Sequence, residues 1–383
     1  MAEWHAWVGR ELDAVRAAGR WREVRDFDAR GPAGWLKDQP LRSGPRPAAV
    51  VSFAGNDYLG LSTHPAVAAA AHDAVERWGT GAGASRLVTG SRPVHSELES
   101  ALAEWKGEEA AVLFPSGYAA NLGVLATFGW AGARILSEER NHASIVDGCR
   151  LAPADVAVWR HRDLDHLAAL LEGDRRPALV VTDTVFSMDG DVAPVAEIGE
   201  LCRRHRALLV VDEAHAVLGP DADVGDVHHL RVGTLSKALG SGGGFVTGPK
   251  AAIALLVNRA RPAIYSTAMP PAAAAAALAA LGVVRSAEGE ALRGRLRRSV
   301  ERVAPGHPTP IVPIVLGSEE RAVAASAALL HRGLLVPAIR PPTVAHGTSR
   351  LRVTLSAAHD DAQVDALVAA LASFEVGISS RAP

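Results

Sequence analysis

Lysine is rare in this chain, and one lysine stands where a reactive amine would be useful. The chain has 40 basic residues, but its only lysines are Lys37, Lys106, Lys237 and Lys250. Lys237 lies in GTLSKALGSGGG (233–244), where an apolar run predicts a buried strand that leads into a glycine-rich turn. A lysine at a strand end commonly extends its amine to solvent. The alternative is a Schiff-base lysine, whose amine reacts when deprotonated and which arginine cannot replace.

Polar residues follow five of the predicted strands, at the edge where α/β sheets bind ligands. Their side chains supply hydroxyl, carboxylate, imidazole and amine groups, and the residues are Ser116, His142, Ser187, Asp212, His215 and Lys237, with Gly117 directly after Ser116. Each has an ordinary structural role when taken alone, such as capping a helix. Because they gather at one edge, the set as a whole predicts a site.

Seven short apolar runs predict the strands, and segments with helical periodicity separate most of them. The strands are predicted at 110–114, 133–137, 156–160, 178–184, 207–212, 230–236 and 244–248, and helices at 117–130, 164–172 and 194–206. Strands that alternate with helices need crossover connections, which favour parallel pairing. We therefore predict an α/β fold with a mostly parallel sheet and helices on both faces.

The two ends of the chain differ from this central pattern. About 45 amino-terminal residues predict an amphipathic helix and a Pro/Gly-rich connection. After an Ala-rich helical region at about 271–303, the chain predicts strands near 311–316 and 350–355 and helices near 319–332 and 360–373. We divide the chain into an amino-terminal helix and linker (1–48), a large domain (49–285) and a small α+β carboxy-terminal domain (286–383).

The composition gives no sign of a nucleic-acid or membrane partner. The net charge is −2, with 48% apolar and 21% charged residues. The uncharged run 262–284 is long enough to span a bilayer, but it is mostly alanine and contains Pro270-Pro271, so we predict a buried helix. Cys149 and Cys202 have no metal-ligand spacing. We expect a reduced cytoplasmic protein with no metal site and no signal peptide.

Two other enzyme classes share part of the pattern. The sequence VVDEAH resembles the metal-binding box of helicase-type NTPases, but that function needs a G-x-x-x-x-G-K-[ST] loop, and Gly-Lys occurs nowhere in the chain. A serine hydrolase of the α/β class would carry G-x-S-x-G, which is also absent. We assign no role to four histidines that are predicted to lie at the surface: His161, His166, His228 and His229.

The remaining combination suits pyridoxal phosphate. A lysine holds this cofactor as a Schiff base, and a carboxylate keeps its ring nitrogen protonated so that the ring accepts electrons. Lys237 and Asp212, 25 residues apart, can fill these roles. The helix start at Ser116-Gly117-Tyr118 suits a phosphate, and the His142 ring can stack on the pyridine.

Ten motifs occur in the same order as in the α-oxoamine synthases, which are fold-type I pyridoxal-phosphate enzymes. They are SFAGNDYLGL, GAGASRLVTGS, HSELE, FPSGYAAN, NHASIVDG, FSMDGDVAP, VVDEAH, GTLSKALG, IYSTAMPP and IRPPTV. The sequence resembles this family over roughly residues 10 to 370. The resemblance implies a homodimer with active sites at the subunit interface. Two departures are Ala216 after VVDEAH and Gly83-Ala84, where the family commonly has glycines.

The resemblance also implies roles for individual residues around the cofactor. Lys237 resembles the lysine that binds the cofactor and moves protons at the amino acid α-carbon. Asp212 resembles the carboxylate on the pyridine nitrogen, and His142 the ring stacked over it. His215 and Ser187 resemble neighbours of the phenolic oxygen. The phosphate contacts implied are Gly117, Tyr118, Thr234 and, lent by the other subunit, Ser266 and Thr267.

Substrate contacts are implied in the same way. Asn56 resembles a residue of the substrate mouth, and Arg340 the guanidinium that holds the amino acid carboxylate. Thr343 and Arg22 resemble contacts to the acyl chain. The short chain, YSTAMPP and RPPTV favour a member that condenses L-alanine with pimeloyl-CoA, or another pimeloyl thioester, to give 8-amino-7-oxononanoate, CoA and CO2 for biotin synthesis.

Three alternatives remain beside that reaction. One is a family member that uses glycine or a different acyl-CoA, as 2-amino-3-ketobutyrate ligase and 5-aminolevulinate synthase do. The second is an aminotransferase on the same fold, which would exchange an amino group and release no CoA. The third, a scaffold without its cofactor, is disfavoured because the lysine, the aspartate and both histidines are present.

Overall fold

A computed structural model describes residues 2–37, 48–218 and 222–372 of the chain. Part of the predicted Pro/Gly-rich connection (38–47), three residues of the loop after VVDEAH (219–221) and the last residues (373–383) lie outside the described residues. The central feature is a seven-stranded sheet, and the candidate residues lie along one of its edges.

The amino-terminal part consists of a helix and a small sheet. Its elements are α1 (Ala2–Ala17), β1 (Asp26–Ala29), β2 (Ala33–Lys37) and β3 (Ala48–Ser52). The predicted helix is present, but the predicted connection contains an antiparallel hairpin, β1–β2, which continues into β3. The hairpin turn contains Gly31 at φ 83°, a conformation that favours glycine. Gly31 and Pro32 therefore lie in a turn between paired strands.

The large sheet alternates with helices, as the pattern predicted. The elements are α2 (Pro65–Trp78), α3 (Pro93–Lys106), β4 (Ala110–Phe114), α4 (Gly117–Phe128), β5 (Arg134–Glu138), α5 (Ala143–Leu151), β6 (Asp155–Trp159), α6 (Leu164–Gly173), β7 (Ala178–Asp183), α7 (Val195–His205), β8 (Leu208–Asp212), β9 (His229–Thr234) and β10 (Gly244–Gly248). Their order is β4-β10-β9-β8-β7-β5-β6. Only β10 runs antiparallel to its neighbours, and the α/β prediction is confirmed.

Alternate residues of the central strands pack into two separate hydrophobic clusters. In β7, Leu179 and Val181 face a cluster that includes residues of α4, α5 and α8 (Lys250–Arg259). Val180 faces a cluster that includes residues of α6 and α7. A parallel sheet that is covered on both faces explains why these strands are continuous apolar runs. It also leaves their polar carboxyl ends at the open edge.

The Ala-rich region forms two helices. After α9 (Arg261–Ile264), α10 (Pro271–Val284) and α11 (Ala287–Val303) meet at an angle of 79°. Ser286 caps α11 by accepting hydrogen bonds from two backbone N–H groups. Ala274, Ala277 and Ala280 are buried, so α10 is a core helix that begins where Pro271 predicted. Within the described residues, only this bent pair has the length and composition of a membrane span, and no single helix has them.

A three-stranded antiparallel sheet and two helices follow. The elements are β11 (Ile311–Gly317), α12 (Glu319–His331), β12 (Leu334–Leu335), β13 (Ala338–Ile339), β14 (Ser349–Thr354) and α13 (Asp361–Ala372). The sheet order is β11-β14-β13, and β12 pairs instead with β3 of the amino-terminal sheet. One hydrophobic cluster contains residues from both the large and the small unit, such as Leu98, Leu281 and Leu351. The domain boundaries 1–48, 49–285 and 286–383 stay a prediction.

Two of the histidines that were predicted to lie at the surface are in ion pairs instead. The His161 side chain is 13% exposed, with Nδ1 2.6 Å from Glu138 Oε1 and Nε2 2.7 Å from Asp191 Oδ2. His229 Nε2 lies 2.7 Å from Glu108 Oε1. The prediction was wrong because the acidic partners come from other segments of the chain.

Candidate active site

Two carboxylates end neighbouring strands at the candidate site. Asp183 ends β7 and Asp212 ends β8, and the two are register partners. Asp212 is buried and accepts hydrogen bonds from Asn121 Nδ2 at 2.7 Å and Ala214 N at 2.8 Å. Asp183 Oδ2 accepts one from His142 N at 2.7 Å. Burial and then the neighbouring Asp212 charge raise the pKa of Asp183 well above its usual value.

Lys237 faces these carboxylates from the turn that follows β9. Its Nζ lies 2.8 Å from His215 Nε2. Burial lowers the pKa of Lys237, although the charges of Asp212 and Asp183 oppose this shift. Burial, followed by the charges of Lys237 and Arg352, lowers the pKa of His215 well below its usual value. The site therefore pairs a lysine amine that loses its proton more readily than usual with a neutral imidazole.

A buried chain of polar groups continues from His215. Tyr58 Oη lies 2.5 Å from His215 Nδ1 and 3.2 Å from Asn56 Oδ1, which also accepts from Arg352 Nη2 at 3.2 Å. Arg352 is only 5% exposed, and its Nε donates to the Ser187 carbonyl at 2.6 Å. Within residues 2–37, 48–218 and 222–372, no carboxylate forms an ion pair with Arg352. A buried cation without an anion is costly, so this guanidinium is suited to an anionic ligand.

His142 presents its ring at the start of α5. Its Nδ1 lies 2.8 Å from Ser144 Oγ, which also accepts from Asn121 Nδ2 at 2.9 Å. The ring is partly exposed, and burial lowers its pKa. Tyr118 lies edge-on to it, with the centroids 6.4 Å apart. Because Asn121 contacts both Asp212 and Ser144, it fixes the carboxylate relative to the imidazole.

Backbone donors and glycines form a cradle at the start of α4. Ser116 caps the helix, with Oγ accepting from Ala119 N at 3.1 Å. A Cβ on Gly117 would lie 3.3 Å from Thr234 Cβ, and one on Gly244 would lie 2.4 Å from Gly117 N. Because these positions carry no side chain, β9 and β10 pack directly against the start of α4 and bring Thr234 beside it. The free backbone N–H groups of a helix N-terminus suit an anion.

An ion cluster beneath the site fixes the turn that carries Asp212 and His215. Glu213 is buried between Lys106 Nζ at 2.8 Å and Arg231 Nη1 at 2.5 Å. Removing one member of such a group would leave an uncompensated buried charge. Lys106 is thus a second buried lysine of this lysine-poor chain, and its structural position differs from that of Lys237.

The predicted carboxylate contact, Arg340, lies near the amino-terminal segment, together with the predicted acyl-chain contact Thr343. Arg340 is half-buried, and its Nη1 donates to the Gly19 carbonyl at 3.0 Å. Thr343 and Arg22 are exposed, and Thr343 N donates to the Arg340 carbonyl at 3.0 Å. The Arg340–Gly19 contact therefore brings the segment of Arg22 next to the IRPPTV motif.

Ser266 and Thr267 lie near the helix start of their own chain. Together with Phe114 and Pro115, which directly precede Ser116, they line a small pocket. Ser266 is half-buried and Thr267 is exposed.

Sequence comparisons identify the family. Residues 48–371 match the family model described as aminotransferase class I and II. The proteins named 8-amino-7-oxononanoate synthase from Anaeromyxobacter dehalogenans (strain 2CP-1) and Methylobacterium sp. (strain 4-46) are 51% and 53% identical to the chain. These alignments cover 96% and 94% of the chain and 95% and 96% of the relatives. The chain belongs to the α-oxoamine synthase family within the class I and II aminotransferases.

The fold of this α-oxoamine synthase also matches solved structures. A serine palmitoyltransferase from S. paucimobilis with a bound PLP–myriocin aldimine is 28% identical, with a TM-score of 0.86 and 96% of each chain covered. An 8-amino-7-oxononanoate synthase from Francisella tularensis has a TM-score of 0.71 at 24% identity, with 85% of this chain and 97% of that one covered. The predicted fold type I is confirmed.

Four residues of this α-oxoamine synthase site escaped the sequence analysis. Asn121 and Tyr58 stand inside FPSGYAAN and GNDYLGL, so the motifs themselves were the available signal. Asp183 ends a strand, just as Asp212 does, and could have been found in the same way. Arg352 lies inside β14, where alternation predicts only a strand, and no local signal marks it.

Proposed function

We propose that this chain condenses L-alanine with a pimeloyl thioester, with loss of CO2, to form 8-amino-7-oxononanoate for biotin synthesis. Relatives that are about half identical over almost the full length carry the name of that enzyme. The observation that supports the chemistry is the buried Lys237 amine, 2.8 Å from a neutral His215 and close to the carboxylate of Asp212. The alternative is a reaction of the same family that uses glycine in place of L-alanine or a different acyl-CoA.

The residues present fit pyridoxal phosphate. The cofactor supplies an electron sink for bond cleavage at the amino acid α-carbon. Lys237 would bind its aldehyde carbon, Asp212 would hold its ring nitrogen, and His142 would lie against its ring. The start of α4 at Gly117 and the neighbouring Thr234 would hold its phosphate, since a helix N-terminus binds anions and the missing Cβ atoms let Thr234 lie against it.

Lys237 and Arg352 would contact different groups of the amino acid substrate. Lys237 takes the α-proton and returns it, which a lysine of lowered pKa does more readily than an ordinary one. Arg352 binds the α-carboxylate, because a buried guanidinium without an acid can form charge-assisted hydrogen bonds to it. The resemblance gave that role to Arg340, which we instead place with Arg22 and Thr343 at the acyl thioester.

We propose that the functional unit is a homodimer in the cytoplasm. Val88 and Tyr265 are 74% and 70% exposed, and the turn Arg86–Gly90 packs beside α9. Large exposed apolar side chains next to Ser266 and Thr267 favour a subunit contact there. The thioester is carried by CoA or by a carrier protein.

Thiol release tests the proposal. The cofactor-loaded protein is given pimeloyl-CoA with L-alanine, with glycine and with no amino acid, and Lys237→Ala is the inactive control. We expect thiol release with L-alanine alone. Release with glycine only, or with another acyl thioester only, would keep the family and reject the substrate. Amino-group exchange with a keto acid, without thiol release, would favour the aminotransferase alternative.

A further inference from the structure

The buried hydroxyl of Tyr58 lies between two acceptors. It is 2.5 Å from His215 Nδ1 and 3.2 Å from Asn56 Oδ1. Across the imidazole, His215 Nε2 lies 2.8 Å from Lys237 Nζ. Because the Tyr58 side chain is fully buried, its single proton has to point to one of these two acceptors.

The identity of the Asn56 atom is fixed by Arg352. Arg352 Nη2 lies 3.2 Å from Asn56 Oδ1, and a guanidinium can only donate hydrogen bonds. The Asn56 atom that faces it must therefore be the carbonyl oxygen and not the amide nitrogen. This oxygen has a donor whether or not Tyr58 also donates to it. Asn56 thus accepts the Tyr58 proton in one arrangement and does without it in the other.

Two complete hydrogen-bond arrangements follow. In the first, Tyr58 donates to Asn56, His215 Nδ1–H donates to Tyr58, and Nε2 offers a lone pair toward Lys237. In the second, Tyr58 donates to His215 Nδ1, so the imidazole carries its proton on Nε2. Tyr58, Asn56 and His215 Nδ1 keep a partner in both arrangements. The change rotates the Tyr58 hydroxyl and moves the ring proton: Nε2 takes a proton from the Lys237 ammonium that faces it, and Nδ1 releases its proton to water.

Both arrangements require a His215 imidazole with one ring proton and a Tyr58 phenol that keeps its hydroxyl proton. Burial lowers the pKa of His215 well below its usual value, so the imidazole stays neutral with one N–H. Burial also raises the pKa of Tyr58, so the phenol keeps its proton although Arg352 opposes this. The state of the pair is therefore a choice of tautomer and not of charge.

We propose that Tyr58 is a positioning residue that lets neutral His215 change tautomer with its partner. An ammonium on Lys237 only donates, and it requires the first arrangement. An oxygen of a bound cofactor beside Nε2, which the resemblance implies for His215, would accept and would require the second. The cofactor half of this inference rests on the proposed function, whereas the Lys237 half concerns the cofactor-free chain alone.

Nitrogen NMR of the protein with ¹⁵N-labelled histidine tests this directly, with His215→Gln to identify the signal. We expect an Nδ1–H tautomer in the cofactor-free protein and an Nε2–H tautomer after loading. In Tyr58→Phe we expect Nε2–H in both states, because an Nδ1–H would be a buried donor without an acceptor. One unchanging tautomer in the wild type, or a normal change in Tyr58→Phe, overturns the proposal.

Failure of the proposed function would be seen separately, as protein that does not bind pyridoxal phosphate. In that case the cofactor-free spectra of the wild type and Tyr58→Phe must still differ. Equal spectra overturn the proposal.

A second variant and a kinetic readout distinguish positioning from loss of structure. Asn56→Ala leaves Tyr58 with Nδ1 as its acceptor and should fix the same Nε2–H tautomer. When Lys237 takes the α-proton it becomes an ammonium, which needs the first arrangement, and neither variant can form it. We therefore expect α-hydrogen exchange of L-alanine in D2O to slow by about tenfold in both variants, the factor that one lost buried hydrogen bond gives, with little change in cofactor affinity. Ser318→Ala, which removes a hydroxyl at the start of α12, is the control. A parallel fall in exchange and cofactor affinity would indicate a structural role and overturn the proposal.

Discussion

Arg352 and Arg340 are the two guanidinium groups that could bind the amino acid carboxylate, and their surroundings differ. Arg352 is buried beside Asn56, whereas Arg340 is half-buried and donates to the Gly19 carbonyl. A carboxylate gains more from a guanidinium in a buried site than at the surface, because water screens the interaction less there. The Arg352 site therefore suits amino acid recognition better.

Replacing each arginine by glutamine tests this assignment. Arg352→Gln should raise the KM for L-alanine by about 10- to 100-fold, because a hydrogen bond to a charged group contributes about 1.5–3 kcal/mol. Arg340→Gln should leave the KM for L-alanine unchanged and raise that for the acyl thioester. Steady-state kinetics with each substrate varied in turn measures both. A larger effect of Arg340→Gln on L-alanine would reject the assignment.

The sequence predicted the site residues that follow strands, but it did not predict the residues that hold them in place. Lys237, Asp212, His215 and His142 follow strands, so the topology of a parallel sheet brings them to one edge. The partners of these residues depend on tertiary contacts. The Asn121–Asp212 and Tyr58–His215 bonds join segments 91 and 157 residues apart, and Arg352–Asn56 joins segments 296 apart. No periodicity within one element can reveal such pairs.

At the scale of elements, the strands of the large sheet were predicted better than the bend between α10 and α11 and the β1–β2 hairpin. β4 and β10 match their predicted ranges, and the other sheet strands differ by one or two residues. The sequence of the Ala-rich run does not reveal the bend between α10 and α11. Arg285 and Ser286 are both found within helices, and only the structure shows that Ser286 caps a new helix, α11. The hairpin β1–β2 was missed because its Gly and Pro residues were read as a linker rather than as a turn.

The start of α4 should tolerate no added side chain from β10. In Gly244→Ala the new methyl would lie 2.4 Å from Gly117 N, so the helix start has to move, at a cost of about 1–3 kcal/mol. We expect weaker pyridoxal phosphate binding and a lower melting temperature. Gly242→Ala is the matched control, since nothing lies within 4 Å of its Cβ. Unchanged cofactor affinity in Gly244→Ala would argue against a phosphate at this cradle.

The contact of His161 with Glu138 and Asp191 should make the stability depend on pH. Burial opposes protonation, but these two acids outweigh it and raise the pKa of His161 to about 9. The stabilisation is then complete below pH 6.5, the usual value, and is lost as the pH rises to about 9.

The shift corresponds to about 3 kcal/mol of free energy of unfolding, lost between about pH 6 and 9.5. Denaturant unfolding across this range should show the loss in the wild type and a flatter profile in His161→Gln. His331→Gln, at an exposed position, should behave like the wild type. Parallel profiles for the wild type and His161→Gln would contradict the prediction.

At the scale of the whole molecule, segments from the amino-terminal and carboxy-terminal parts of the chain contact each other beside the large sheet. β12 pairs with β3, and Arg340 contacts Gly19, so the amino-terminal segment and the small sheet form one side of the site. The other side, near the start of α4, carries the exposed Val88 and Tyr265. A second copy of the chain would cover that side and bring its own Ser266 and Thr267 close.

Subunit mixing tests whether the site is shared. Lys237→Ala and the double variant Ser266→Ala/Thr267→Ala should each be inactive as homodimers. In a mixed dimer, the subunit that keeps Lys237 would receive Ser266 and Thr267 from the other chain, which restores one of the two sites. Random exchange of equal amounts makes about half of the dimers mixed, so activity should return to about a quarter of the wild-type value. If each chain instead uses its own Ser266 and Thr267, every site in the mixture carries a defect and no activity returns.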